Sequence, residues 1–162
     1  MKKININTEC TVYQDISELS EMDRQLIVAA KLSAEKAYAP YSNFKVGAAI
    51  LMEDDTIITG NNQENAAYPS GLCAERTAVF YAASQFPNKR FKKIAITAIS
   101  PSGGMKNPVP PCGSCRQSLL EYENKFGQPI EIMLIAEVGE VYVFESVNAL
   151  LPFSFNSSYL SK

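Results

Sequence analysis

The sequence predicts an α/β fold, a three-layer α/β/α sandwich built on a mixed five-stranded sheet, and three observations carry that expectation. Apolar runs of strand length alternate with amphipathic stretches of helix length, and the order strand, loop, helix, strand occurs twice over. Such alternation implies parallel crossovers that lay helices over a sheet. The chain has 162 residues, 46% hydrophobic and 20% charged, enough for one buried core and too few for two ordinary domains.

Residues 1–19 read as an N-terminal arm with weak strand character at Ile4, Ile6 and Val12, and residues 20–162 as a single domain. A helix begins near Ser17 or Ser20, where Ser20 can cap with Asp23 three residues on. Leu26, Ile27, Ala30, Ala34 and Ala37 share one face, and Pro40 forces Ala39 out of the helical region. Residues 45–52 read as a buried strand, and the acidic turn Glu53-Asp54-Asp55 leads back through residues 56–59 as its antiparallel partner. A loop dense in Asn, Pro and Gly covers residues 61–71 and a helix follows over 72–85. Then come a strand at 94–100, a Pro- and Gly-rich loop at 101–111, a helix at 113–125, a strand at 130–135 and a fifth strand at Val141–Phe144. The basic cluster Lys89-Arg90-Phe91-Lys92-Lys93 reads as a solvated loop between helix and strand rather than an anion site. The aromatic tail after Pro152 packs either on its own core or across a subunit boundary.

Composition excludes several function classes. The chain has no histidine, which removes every imidazole base and every imidazole metal ligand. A net charge of -2 has the wrong sign for a domain that binds nucleic acid. The longest apolar runs fall far short of the ~20 residues that span a bilayer, so no membrane partner is expected. The basic start lacks the apolar stretch and cleavage site of a secretory signal, which predicts a cytoplasmic protein. In that reducing compartment a close cysteine pair reads as a metal or redox site before a disulfide.

Both expected loop-to-helix junctions carry cysteine, as Cys73-Ala74-Glu75-Arg76 and as Pro111-Cys112-Gly113-Ser114-Cys115-Arg116. A helix N-terminus offers unpaired N–H donors and partial positive charge, which drive a thiol toward the metal-binding thiolate. Cys112 and Cys115, three apart, can face one ion, and helices after neighbouring parallel strands start at one sheet edge, which could bring Cys73 beside them. Three thiolates on Zn²⁺ leave a fourth tetrahedral position for water. Glu75 can lean over that position as a general acid/base. Three thiolates also leave the site formally at -1, and Arg76 and Arg116 are placed to donate to the sulfurs and withdraw that charge, Arg76 being the better placed. The Cys-x-x-Cys pair alone fits equally a redox pair, a structural zinc half-site or two buried hydrophobes, and a closed four-thiolate site would need Cys10 from the arm.

These motifs resemble the zinc-dependent deaminases in their three-cysteine form. Within that superfamily the chain is similar to the small homotetrameric cytidine deaminases over about residues 20–155, through the Tyr38-Ala39-Pro40-Tyr41-Ser42-Asn43-Phe44-Lys45-Val46-Gly47-Ala48-Ala49 stretch, Asn62-Gln63-Glu64-Asn65-Ala66-Ala67-Tyr68, Arg76-Thr77-Ala78, Arg116-Gln117 and Leu150-Leu151-Pro152. The resemblance implies hydrolytic deamination of cytidine and deoxycytidine to uridine and deoxyuridine in pyrimidine salvage, with one zinc per chain on Cys73, Cys112 and Cys115. It implies that Glu75 moves the water proton to N3 and then assists departure of ammonia. Asn62 and Glu64 match positions that bond the ribose hydroxyls, Phe44 the aromatic against the pyrimidine, and Ala74 a backbone contact to the base. Ala66, Tyr68 and Phe155 match positions that complete the pocket from neighbouring chains of the tetramer, Phe153 being the near alternative to Phe155. Two competing functions remain at this point: deamination of another cytosine nucleoside, such as a nucleoside antibiotic, and a non-catalytic zinc-binding module.

Overall fold

Strand β2 (Lys45–Met52) shows how the layers arise. Ala48, Ile50 and Met52 face one side while Ala49 and Leu51 face the other, and both sets are buried. A strand covered on both faces is apolar without alternation, which is why this run reads as continuously hydrophobic. On one face lies α1 (Glu21–Glu35), whose Leu26, Ile27 and Ala30 pack on Ala49, Leu51, Ala95 and Met133. On the other lie α2 (Ala74–Gln85) and α3 (Gly113–Phe126), whose Ala78, Val79, Leu119 and Leu120 pack on Ala48, Ile50, Ile94, Ile96 and Ile132. The computed structural model, which describes residues 1–160, therefore has the expected three layers.

Among the described residues the sheet has six strands, not five. The other strands are β1 (Thr11–Tyr13), β3 (Ile57–Asn61), β4 (Phe91–Ile99), β5 (Glu131–Ile135) and β6 (Val141–Phe144), in the order β1-β6-β5-β4-β2-β3. The added strand comes from the arm, where Thr11, Val12 and Tyr13 pair antiparallel with Val143, Tyr142 and Val141. β2 lies antiparallel to both β3 and β4, and β4 to β5 is the parallel pair. The crossovers β3–α2–β4 and β4–α3–β5 both lie over the same face and start their helices at one edge.

Two close approaches seat helices on β2 and β3. A Cβ on Gly47 would lie 2.1 Å from the Ala30 carbonyl oxygen, and one on Gly60 would lie 2.4 Å from the Ala78 nitrogen. Gly60 thus lets the first turns of α2 touch the sheet. The helix boundaries follow local chemistry. Ser20 Oγ accepts from the Asp23 N–H at 3.2 Å at the start of α1, and Gly127 adopts the left-handed conformation (φ 60°) that closes α3.

The basic cluster is not a solvated loop. β4 begins at Phe91, so three of the cluster's five residues are strand, and Lys89, Arg90 and Lys92 pair with Asp54, Glu53 and Asp55 of the β2–β3 turn. Lys93 bridges Asp23 of α1 at 2.7 Å and Glu131 of β5 at 2.9 Å. Glu123 of α3 is buried and accepts from the backbone of Ile130 and Val147, the Ser146 hydroxyl and the Asn148 amide. That carboxylate ties the end of α3 to β5 and to the 3-10 turn Val147–Leu150.

Candidate active site

Both cysteine junctions became helix starts. Cys73 is the N-cap of α2 and Cys112 the N-cap of α3, each in extended backbone conformation, and neither thiol is spent on capping its own helix. The Cys73 carbonyl accepts from the Thr77 N–H and the Cys112 carbonyl from the Arg116 N–H, both at 3.0 Å, so each thiol leaves from the first residue that the helix holds. The Cys73 and Cys112 sulfurs lie 3.9 Å apart, Cys112 and Cys115 3.4 Å, and all three fall within 4.8 Å of one another. Tetrahedral zinc with Zn–S bonds of about 2.3 Å sets its sulfurs about 3.8 Å apart, so this donor set fits one zinc per chain. Cys115 is buried at the floor, Cys73 half-buried and Cys112 exposed. Cys10 lies in the exposed arm at the far edge of the sheet, which leaves the three-thiol set open in its fourth direction.

The surroundings polarise the thiols differently. Hydrogen bonding with Cys115, then with Cys112 and Arg76, holds the Cys73 thiol down at about 5 despite its burial. The same coupling to Cys73, followed by burial and the Glu75 charge, pushes Cys115 up. One of the three is therefore readily a thiolate, and a bound cation would draw the proton from the other two. Glu75, only 4% exposed, has its carboxyl pushed up chiefly by burial and secondarily by the Cys73 charge. A buried carboxyl whose proton affinity is raised is suited to hold a proton and return it, as a general acid/base must.

The Arg76 guanidinium lies near enough to Cys73 to lower its pKa, its Nη2 is 3.5 Å from the Gly71 carbonyl, and among the described residues its Nε is buried without a partner. Arg116 does something else. Its Nε donates to the Pro111 carbonyl at 2.8 Å and its Nη1 to the Leu150 carbonyl at 2.7 Å, fastening the loop that carries Cys112 to the C-terminal turn.

Above the thiols opens a cleft of about 690 Å³. Phe44, Asn62, Glu64, Tyr68, Cys73, Glu75, Arg76 and Cys112 all line it, so most residues singled out in the sequence meet in one place. Ala74 is fully buried beside Cys73, while Ala66 and Phe155 are exposed and lie off the wall of this chain's own cleft. The Phe155 carbonyl accepts from Gln117 of α3 at 2.8 Å and its ring stacks on Tyr159. Asn62 is engaged locally: its Oδ1 accepts from the Val46 N–H at 2.7 Å and its Nδ2 donates to the Phe44 carbonyl at 3.0 Å, squaring the mouth of β2. Sequence reasoning gave no part to Val109 and Pro110, which form a wall, or to Ser42. The proline run before Cys112 is the signal that could have found the first two.

An α/β/α sandwich that brings three thiols to one point at the starts of two helices, with a buried carboxyl alongside, defines a zinc-binding α/β protein with one open coordination position. The chain belongs to the family described as the cytidine and deoxycytidylate deaminase zinc-binding region, whose model matches residues 20–126. It is similar to the cytidine deaminase of Sporosarcina psychrophila, 42% identical over 85% of this chain and 93% of that one. It is also 48% identical to the cytidine deaminase of Halalkalibacterium halodurans over 62% of this chain and 72% of that protein. Among solved structures, the cytidine deaminase of Burkholderia pseudomallei superposes with a TM-score of 0.70 at 42% identity, covering 85% of this chain and all of that one. Among the described residues, no helix is long and apolar enough to cross a membrane.

Proposed function

We propose that this protein is a zinc-dependent cytidine deaminase that hydrolyses cytidine and deoxycytidine to uridine and deoxyuridine with release of ammonia. The observation that carries this reading is the convergence of Cys73, Cys112 and Cys115 within 4.8 Å beside the buried Glu75, at the base of a cleft of about 690 Å³ with room for a nucleoside. Cys73, Cys112 and Cys115 would hold the zinc, which would supply Lewis acidity that lowers the pKa of a water at the site. Glu75 takes one proton from the attacking water and delivers it to N3 of the cytosine; it then takes the proton of the new C4 hydroxyl and passes it to the amino group, which leaves as ammonia as the C4 carbonyl forms. Its burial favours that traffic, because a carboxyl out of bulk water keeps the proton within the site. Arg76 offsets the excess negative charge of the thiolates.

Phe44 packs against the pyrimidine, Ala74 offers its backbone to the base, and Asn62 and Glu64 read the sugar hydroxyls. A site that pairs with hydroxyls rejects substrates that lack them, so free cytosine is a poor substrate. Among the described residues the cleft is lined by one basic side chain, Arg76, which lies by Cys73, a lining that favours nucleosides over nucleotides. The exposed positions of Ala66 and Phe155, off the wall of this chain's own cleft, support a homotetramer in which they complete a neighbour's pocket, whereas Tyr68 lines the cleft of its own chain. A cytoplasmic location fits a site of three free thiols.

Ultraviolet absorbance assays on cytidine, deoxycytidine, cytosine and CMP test the reading. Turnover of the two nucleosides with little on cytosine or CMP is expected; a zinc-loaded protein inactive on both nucleosides would overturn it. Sedimentation tests the tetramer, which a fully active monomer would exclude.

A further inference from the structure

Glu64 is held in place by one short loop. The N–H groups of Tyr41 and Ser42 donate to its Oε2, at 2.8 Å and 3.3 Å, and the Ser42 hydroxyl donates to its Oε1. The same Ser42 oxygen accepts from the Phe44 N–H at 3.0 Å. Asn43 makes this possible by adopting the left-handed conformation (φ 53°), which folds Phe44 back over Ser42 and which asparagine tolerates better than most residues. One hydroxyl thus joins two elements of the cleft wall, Glu64 and Phe44.

An ionised carboxylate offers about four acceptor positions. Three are taken by this loop, two on Oε2 and one on Oε1. The Ser42 hydroxyl, followed by the Tyr41 N–H, also holds the Glu64 carboxyl below its ordinary range. What remains is a single open acceptor on an ionised group whose rotamer is already fixed, so a sugar hydroxyl can bind without ordering it first.

Resting on the deaminase reading above, we infer that Ser42 is a positioning residue for sugar recognition: it fixes Glu64 so that the free lone pair of Oε1 accepts a ribose hydroxyl, and it locks Phe44 to the same frame. Ser42 itself touches neither the thiols nor Glu75; it acts through Glu64.

Ser42→Ala keeps both backbone N–H donors to Glu64 and removes only the hydroxyl. Its effect on Phe44 falls alike on every cytosine nucleoside, whereas its effect on Glu64 falls only on substrates whose hydroxyl Glu64 reads. The comparison is therefore between cytidine and 2′,3′-dideoxycytidine, assayed with wild type, Ser42→Ala, Ser42→Thr, Glu64→Gln and the Ser42→Ala/Glu64→Gln pair. The expected result is a rise in KM for cytidine of about tenfold beyond any change for the dideoxy substrate, with kcat little altered, as befits a charge-assisted hydrogen bond. Ser42→Thr, which keeps the hydroxyl, restores the wild-type ratio. In the Glu64→Gln background the Ser42→Ala penalty on cytidine disappears. Equal losses on both substrates, or a penalty that persists without Glu64, would overturn the assignment of Ser42 while leaving the deaminase reading intact. A wild type without activity on cytidine would overturn both.

Discussion

Helices α2 and α3 start in the same way and are supported in opposite ways. Both open on a cysteine N-cap at the same sheet edge, and both aim a thiol at one point. The first turns of α2 are pressed onto the sheet, with Gly60 so close that a Cβ there would meet the Ala74 carbonyl at 2.7 Å, and its Ala74 and Glu75 are buried. α3 begins in the open: nothing lies within 4 Å of a Cβ on Gly113, and Cys112 is exposed. Its position depends on Arg116, which ties the preceding loop to the C-terminal turn. The start of α2 carries one of the three thiols and the buried Glu75 carboxyl; the start of α3 carries the other two, Cys112 exposed and Cys115 buried, and no acid. A carboxyl gains its raised proton affinity from burial, so Glu75 belongs on the helix that the sheet covers.

The largest effect expected is at the buried start. Glu75→Gln, nearly the same shape, should lower kcat on cytidine by about 10²- to 10⁴-fold while zinc content stays at one per chain by metal analysis. Retention of full rate would remove Glu75 from the chemistry. Next, Cys73→Ala should abolish stoichiometric zinc, because the Cys112/Cys115 pair on α3 is then only half a site; unchanged zinc content would show that α3 binds metal by itself. Gly60→Ala should cost about 3 kcal/mol by forcing α2 off the sheet, a fall in melting temperature of about 6 to 12 °C by calorimetry. Arg116→Gln should weaken zinc binding by about tenfold in a competition titration with a chelator, with the melting temperature of the zinc-loaded protein little changed. The smallest effect is the mirror of Gly60. Gly113→Ala should be neutral or stabilise by up to about 1 kcal/mol, since it fills open space in a first helical turn. If Gly113→Ala proved as damaging as Gly60→Ala, the contrast between the two helix starts would fail.

The same contrast explains what could be read from the sequence. The Cys73-x-Glu75 and Cys112-x-x-Cys115 spacings, together with strands that punctuate the helices, were enough to expect both helix starts and their meeting, because helix phase and crossover topology are local properties that propagate. Glu64 and Phe44 were legible through resemblance, but the loop that binds them together was not. Ser42 donates across 22 positions of sequence, and nothing in its neighbours marks it. Arg116 follows a ligand just as Arg76 does, so the sequence alone offers both to the sulfurs; in the fold its Nε and Nη1 are spent on the Pro111 and Leu150 carbonyls. β1 was missed as a strand since it has three residues and only Tyr13 is even partly buried, and its partner lies 130 residues away in β6. Glu123 reads in sequence as a solvated helix residue; only the folded chain gathers four donors around it.

The short strand β1 has a further consequence. A sheet that stopped at β6 would present a row of bare donors and acceptors along Val141–Phe144, a template onto which any extended peptide could zip. By laying Thr11–Tyr13 along that row, and by anchoring the Thr8 hydroxyl to the Ala149 carbonyl at 2.9 Å, the arm closes the template from within the same chain. The outermost strand on that side, farthest from the hairpin β2–β3, is thereby only three residues long, a short edge that offers an incoming peptide few groups to pair with.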